Sequence, residues 1–382
     1  MGKRNGARPV FYQLREGKRL HAFGDEILEV PILGTPLAEH HRLAVEANGC
    51  ELREVGSRSE IADEHYFVFD EDLFFTPEFI ARVLELAGSS TTSLRFGLAA
   101  NSFNERFVLP HDRDPANALR FDIHYVGAGD HPPADIIVPQ EVFPSQVSVP
   151  DQIVRGGAYS CDQCSVFASR LASPFHLLQV NLAANFKRLT KTRSGVPPWL
   201  VERVAPLHSL LYVRGLRRLN RLGRNCRVHP TAVLENAVLE DDVVVGANTI
   251  IRHSYIGAGS TINDNTSIVN SVLGKRNAVA SGNHINLCMT YDDVFLIHGP
   301  YQFSIFGRSS AVFAVINCDI RLDQKTISIP TDIGLVDSKQ PLLGIAYGHH
   351  SKVGGGNIIA AGRIVPNHKR IDPPSNIILK VE

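Results

Sequence analysis

The run Val244-Val-Gly-Ala-Asn-Thr-Ile250-Ile-Arg-His-Ser-Tyr-Ile256-Gly-Ala-Gly-Ser-Thr-Ile262-Asn-Asp-Asn-Thr-Ser-Ile268 constrains the fold more than any other stretch of this chain. A branched aliphatic residue recurs there every six positions, with Gly246 and Gly257 close by. That period fits neither the 3.6-residue turn of an α-helix nor the two-residue alternation of a strand. A coil of three short parallel strands satisfies it, because each strand supplies one inward aliphatic and turns the chain by a third of a circuit. Three hexads close one coil, so about 18 residues should advance it by roughly 4.8 Å, the spacing of paired strands. Val244, Ile250 and Ile256 are the expected inward residues.

The coil should begin near Val228 and stay regular through Ile268. After Leu273-Gly274 the hexads stop, and residues 280–310 carry bulky and polar side chains without the period. An irregular insertion is expected around 280–310, since neighbouring coils can supply the core across it. Periodicity returns from Val353 to Val365, and Pro366 marks the exit.

The first half reads differently. Short strands are expected at Val10-Phe-Tyr12, from Ile27 to Leu33, at Tyr66–Phe69, and around Leu94, Glu105 and Leu119. Helices are expected from Pro36 to Gly49, with Leu37, Leu43 and Val45 as apolar contacts, from Glu78 to Ala87, and from Phe175 to Phe186. The order of strand, acidic loop and helix points to an α/β unit. A further helical candidate runs from Trp199 to Leu222 and ends in a basic cluster of Arg214, Arg217, Arg218, Arg221 and Arg224. The domains expected are therefore an α/β domain over 1–190, a basic helical linker over 191–225, and a coil domain over 226–382.

Composition narrows the setting. The chain has 382 residues, 44% of them hydrophobic, and 39 basic residues balance 39 acidic ones. A balanced charge gives no general reason to expect nucleic acid as a partner. No apolar run approaches a membrane span and no signal-peptide core follows the basic start, so the expectation is a cytoplasmic protein without membrane contact. Cys161-Asp-Gln-Cys164 has the spacing of a redox pair, but no second Cys or Cys/His pair compensates nearby, and ordinary reduced cysteines are expected.

With hexads in the second half, and with Glu29-Val-Pro-Ile-Leu-Gly-Thr-Pro-Leu-Ala-Glu-His and Phe67-Val-Phe-Asp-Glu-Asp72 in the first, the chain resembles the sugar-1-phosphate nucleotidyltransferase and acetyltransferase superfamily. The resemblance implies an α/β nucleotidyltransferase-like N-terminal domain followed by a left-handed parallel β-helix. It also implies a homotrimer with active sites between neighbouring prisms. Asp72 matches the acidic residue that helps hold Mg²⁺ in active relatives. The Gly-rich phosphate loop of those relatives has no counterpart in residues 1–33, where Arg15-Glu-Gly-Lys-Arg19 is not equivalent. A reduced N-terminal domain, with Mg²⁺ only if it is active, is the expectation.

The same resemblance carries a site in the second half. His298-Gly-Pro-Tyr301 is similar to an element whose His is the general base and whose Tyr helps bind the sugar phosphate. A neutral imidazole suits proton removal from an amine near neutral pH. Asn317-Cys-Asp-Ile-Arg-Leu-Asp-Gln-Lys325 is similar to a substrate-contacting coil in which Asp319 stands where an Asn is usual. Arg321 there is able to grip a carboxylate or phosphate, and Lys325 to orient the substrate. Ala360 and Ala361 match small positions beside a pantetheine arm, and Arg363, Lys369 and Arg370 are candidates for the phosphates of coenzyme A. His284 and the pair His349 and His350 compete for the role of base.

The function implied is acyl-CoA-dependent N-acetylation of an amino sugar phosphate or nucleotide-linked amino sugar, with acetyl-CoA or another acyl-CoA as cosubstrate. The alternatives are a non-catalytic sugar-nucleotide-binding or structural protein on the same scaffold, and a sugar-1-phosphate nucleotidyltransferase.

Overall fold

The computed structural model describes residues 8–88, 90–107, 118–127, 132–144, 146–160, 162–193, 219–331 and 334–374. The chain divides into two compact units, residues 1–148 with 158–180, and residues 149–157 with 181–382. Cys161 and residues 194–218, which contain most of the expected basic helix, lie outside the described residues.

The first unit is built on a mixed six-stranded sheet. Its strands lie in the order Glu51–Val55, Val10–Leu14, Tyr66–Asp70, Ala118–Val126, Leu94–Ala99 and Ala134–Ile137. Val10–Leu14 runs parallel to both of its neighbours, so its end and that of Tyr66–Asp70 share one edge of the sheet. The helix Pro77–Ala87 follows from its sequence: the Thr76 side chain caps the Phe79 amide, Pro77 begins the first turn, and Phe79, Ile80, Val83 and Ala87 form a buried face.

Several local expectations change here. Ile27–Glu29 is a single 3₁₀ turn and only Pro31–Ile32 of that stretch is a strand. Ser102–Phe107 is a short helix, where a strand was expected around Glu105. In the helix Leu37–Glu46, Pro36 is the N-cap residue, Leu43 faces solvent, and His41 takes the core position beside Leu37, Ala44 and Val45.

His41 is fully buried against the Phe75 and Phe69 rings, and its Nε2 lies 2.7 Å from the Leu73 carbonyl, so Nε2–H is the donor. Burial pushes its pKa down to about 4 from an ordinary 6.5. A depressed histidine contributes no pH dependence above 6.5. As pH falls from there to about 4, the unfolded chain gains a proton that the folded chain refuses, and stability declines. The window corresponds to about 3 kcal/mol. Urea unfolding at pH 7 and pH 4 should show the wild type losing about that much more than His41→Leu. Equal losses in the two proteins would contradict the assignment.

In the second unit, three sheets of short parallel strands are visited in rotation, an arrangement compatible with a parallel β-helix. The first face starts at Arg221–Leu222, the second at Arg227–Val228 and the third at Val233–Glu235. The first two faces each hold eight strands; the third holds five, and Ile316–Asn317 paired with Ile358–Ile359 forms a separate two-stranded sheet beyond them. Parallel pairing thus begins at Arg221, inside the stretch expected to be linker.

The early coils are one residue shorter than three hexads; later the step is 16 residues from Phe295 to Ala311 and 18 from Lys352 to Arg370. Val228, Val245, Ile262 and Val279 stack in register, 17 residues apart. The interior residues are Val245, Ile251, Ile256, Ile262, Ile268 and Leu273, while Val244 and Ile250 are half-buried on the outward side of their strands. The shortened corner contains a buried serine column: Ser254 Oγ accepts the Ser271 amide at 3.0 Å, and Ser271 Oγ accepts the Cys288 amide at 3.1 Å. Each hydroxyl satisfies a buried donor of the next coil, where an unpaired amide would be costly.

Residues 280–310 are not an insertion. His284–Asn286, Met289–Thr290, Phe295–Ile297, Tyr301–Gln302 and Ile305–Phe306 continue the three faces in parallel register. The aromatic rings of Tyr301, Phe306 and Tyr347 fill the core where earlier coils use aliphatics, with Phe306 and Tyr347 stacked at 5.0 Å. The excursion comes later, between Asn317 and Ala346, and contains an antiparallel hairpin of Ser328–Thr331 and Gly334–Asp337.

Candidate functional site

At the carboxyl edge of the first unit, the chain leaves Leu14 and turns through Gly17, whose φ is +71°. The amides of Glu16 and Lys18 both donate to Glu71 Oε1, at 3.1 and 2.5 Å. Lys18 Nζ reaches Asp70 at 2.7 Å and Asp72 at 3.4 Å, and Arg170 Nε reaches Asp72 at 3.0 Å. Burial pulls the Lys18 ammonium down, but its hydrogen bond to Asp70 and the charges of Asp72 and Asp70 outweigh this and hold it above its ordinary value. Two amides of this turn are thus taken up by the protein's own carboxylate.

This arrangement does not fit a Mg²⁺ centre. Asp72 spends its carboxylate on two cations, and among the described residues no group of three or more His, Cys, Asp or Glu side chains is placed to hold a metal ion.

In the second unit, Tyr301 is fully buried. Its hydroxyl donates towards the carbonyls of Ile297 at 2.9 Å and Val312 at 3.2 Å, and burial pushes its ionisation far up. A phenol satisfied by two backbone carbonyls inside the coil is not offered to a substrate, so the expected sugar-phosphate role fails on geometry. Gly299 has the same origin: a Cβ there would lie 2.2 Å from the Tyr301 ring. The Gly and Tyr of His298-Gly-Pro-Tyr301 therefore let the chain turn a corner over an inward ring. Tyr301→Phe should cost about 1 kcal/mol, because the shared hydroxyl donor is lost while the Ile297 carbonyl keeps the Ala314 amide at 2.9 Å. It should leave the KM for any sugar substrate unchanged, as denaturation and steady-state kinetics on one preparation would show. A KM rise without loss of stability would restore the substrate role.

His298 itself is exposed, with φ 52°, on the corner between the second and third faces. His284 is also exposed, on a third-face strand. His349 is nearly buried: its Nδ1 accepts the Arg308 amide at 2.7 Å, and its ring meets Tyr291 edge-on at 4.9 Å. An imidazole accepting at Nδ1 carries its proton on Nε2, which makes His349 a donor to anything beyond it. His350 and His368 stack at 4.8 Å along the same corner, between the first and second faces. Tyr291, Arg308 and His368 escaped the sequence reading, because the coil step changes there, from 16 residues between Thr290 and Phe306 to 18 between Lys352 and Arg370.

The remaining candidates divide between corners. Asp319 stands at the start of the excursion, where Cys318 N bonds Ile359 O at 2.9 Å and Leu343 N bonds Asp319 O at 3.0 Å. That places Asp319 next to the Ile359–Ala360 stretch, on the corner between the third and first faces. Ala360 and Ala361 lie in the turn there, and Gly362 packs under Ile327 and Ser328 of the excursion with its amide on Gly344 O at 2.7 Å. Arg363 follows at the start of the next first-face strand, half-buried.

Arg321 and Lys325 are exposed on the excursion, and Arg321 is engaged by Asp323 at 2.6 Å. Lys369 lies in the corner between the first and second faces, and Arg370 begins the second-face strand Arg370–Ile371 and pairs with Asp372 at 2.7 Å. Asp319, Ala360 and Ala361 thus come together. Neither His298 nor Lys369 and Arg370 joins them on the same corner of the coil. No family model matches the chain, and no curated protein matches its sequence.

Proposed function

We propose that the protein is an acyl-CoA-dependent N-acyltransferase acting on an amino sugar phosphate or nucleotide-linked amino sugar, with acetyl as the transferred group. The observation that supports this reading is the coil of three parallel sheets, from which an excursion folds back over Gly362, next to the turn of Ala360 and Ala361 and to Asp319. The coil is left-handed in this proposal, as in the superfamily that the hexads resemble. The amine attacks the thioester carbonyl, the N–C bond forms as C–S breaks, the departing thiolate is protonated to free CoA, and exposed His298 accepts the proton lost by the amine.

His298 and the Asp319–Ala360 corner lie on different corners of one chain, so the working site requires a second copy. Ile316 and Ile358, paired side by side and 58% and 68% exposed, supply an apolar contact for it. A homotrimer follows from the same resemblance. In this reading Lys325 orients the sugar phosphate, and Arg363 and Lys369 meet the phosphates of coenzyme A.

A second reading, a non-catalytic sugar-nucleotide-binding protein, is favoured by the interior position of Tyr301. Nucleotidyl transfer is disfavoured by Glu71 on the turn amides of Glu16 and Lys18. Purified protein incubated with acetyl-CoA and a panel of amino sugar phosphates should release free thiol. Absence of thiol across the panel, with saturable nucleotide-sugar binding, would support the binding protein instead.

A further inference from the structure

The first unit holds a cavity of about 1020 Å³ at the amino edge of its parallel strands, the edge opposite the Lys18–Asp72 cluster. Val10 and Glu51 open their strands there, Phe67 stands one residue into Tyr66–Asp70, and Tyr125 is next to last in the antiparallel strand Ala118–Val126. The last turn of the helix Pro77–Ala87 lines it through Leu84 and Ala87. The volume is at the upper end of what small-molecule sites occupy.

Its wall is aromatic and contains a hydroxyl without a partner. The Phe67 and Tyr125 rings have their centres 5.2 Å apart, and the exposed His65 ring lies nearly parallel to Tyr125 at 6.3 Å. Tyr125 is 4% exposed, and its buried hydroxyl makes no hydrogen bond with any described residue. A buried hydroxyl left unpaired is unfavourable and gains from a partner brought in from outside.

The charges around that wall are of two kinds. Glu51 is engaged by Arg53 at 2.8 Å, and Asp63 accepts the Tyr12 hydroxyl at 2.8 Å. Arg8 and Glu64 are left. Both are exposed, both line the cavity, and neither makes an ion pair or side-chain hydrogen bond with a described residue. Opposite charges on one cavity that do not meet each other leave a place for a molecule that bears both. The carbonyl end of the helix Pro77–Ala87 adds negative potential on its side of the cavity. No group of three or more His, Cys, Asp or Glu side chains is placed to hold a metal ion among the described residues, so Asp63, Glu64 and His65 do not form a metal site.

We propose that this cavity binds a zwitterion that carries an aromatic ring, of the class of the aromatic amino acids. The ring packs against Phe67, Tyr125 and His65, the carboxylate pairs with Arg8, and the ammonium pairs with Glu64. The ligand's polar end also gives the Tyr125 hydroxyl the partner that the protein does not supply. This site goes beyond acyl transfer and does not depend on it, because every residue involved belongs to the first unit.

Calorimetric titration of the full chain with three probes reads the features separately: L-tryptophan carries both charges, tryptamine lacks the carboxylate, and indole-3-propionate lacks the ammonium. The wild type should bind L-tryptophan at least about tenfold more tightly than either, the order expected of a charge-assisted hydrogen bond. Arg8→Ala should bring L-tryptophan to within about twofold of tryptamine, and Glu64→Gln to within about twofold of indole-3-propionate, with both proteins melting as the wild type does. Tyr125→Phe should weaken L-tryptophan binding about fivefold yet unfold at the wild-type urea midpoint, because it removes a hydroxyl that the protein itself does not bond. Equal binding of the three probes, no binding of L-tryptophan, or a preference that survives both charge variants would overturn the proposal. So would a Tyr125→Phe protein that binds L-tryptophan unchanged, or one that loses stability, since the hydroxyl would then serve the fold.

Discussion

Gly257→Val should unfold the coil domain or cost it at least about 4 kcal/mol, the range reached only when an atom is forced into space already filled. Gly257 sits at the corner after the first-face strand Tyr255–Ile256, directly against the next coil. A Cβ there would lie 2.5 Å from the carbonyl carbon and oxygen of Gly274 and 2.8 Å from the Lys275 amide nitrogen. These are backbone atoms, so no rotamer change can relieve the overlap. The coils cannot part either, because Tyr255 N and Gly257 N are bonded to Ser271 O and Leu273 O of that coil at 3.0 and 2.9 Å. Gly282→Ala is the control. It has a left-handed φ of +75° but nothing within 4 Å of its Cβ, so backbone strain alone should cost about 1 kcal/mol. Urea unfolding of both variants checks the pair. A Gly257→Val protein as stable as the wild type would mean that the coils are not in backbone contact there.

His298→Ala should lower kcat for thiol release by about 10² to 10⁴, the span expected when a general base is removed. Its side chain is exposed on a corner turn and makes no contribution to the interior, so the melting temperature should stay where it is. The KM for acetyl-CoA should also hold, because in the proposed reaction the imidazole takes the amine's proton and does not touch the nucleotide. A variant with full activity would transfer the role of base elsewhere. His284 is exposed and the next candidate, whereas His349 is held as a donor by its bond from the Arg308 amide.

The six-residue period was legible because it reflects a physical repeat, but its phase was not. Val244-Val245 and Ile250-Ile251 are both two-residue aliphatic steps, so the outward member of each completes a perfect hexad with Ile256. Only the register shows that Val245 and Ile251 point inward and that the corner before Ile256 is one residue short. The aromatic residues between 280 and 310 disguised regular coils because Tyr301 and Phe306 replace aliphatics inside while Phe295 faces outward. The same substitution explains why His298-Gly-Pro-Tyr301 reads as chemistry: its Gly and Tyr are set by the ring that the corner must cover.

In the first unit, the acidic loop after Phe69 stood out, but its partners did not. Lys18 meets Asp70 from 52 residues away, and Arg170 meets Asp72 from 98. Charge separated so far along the chain carries no local pattern, and an acidic loop looks the same whether it awaits a metal or is already neutralised.

That the chemistry resides in the coil, and not in the α/β unit, is decided most directly by following two products in one preparation. With acetyl-CoA, a nucleoside triphosphate and glucosamine 1-phosphate all present, free thiol should appear and vanish in His298→Ala, while pyrophosphate does not form. Pyrophosphate release that is lost in Asp72→Asn, with no thiol in any variant, would contradict it.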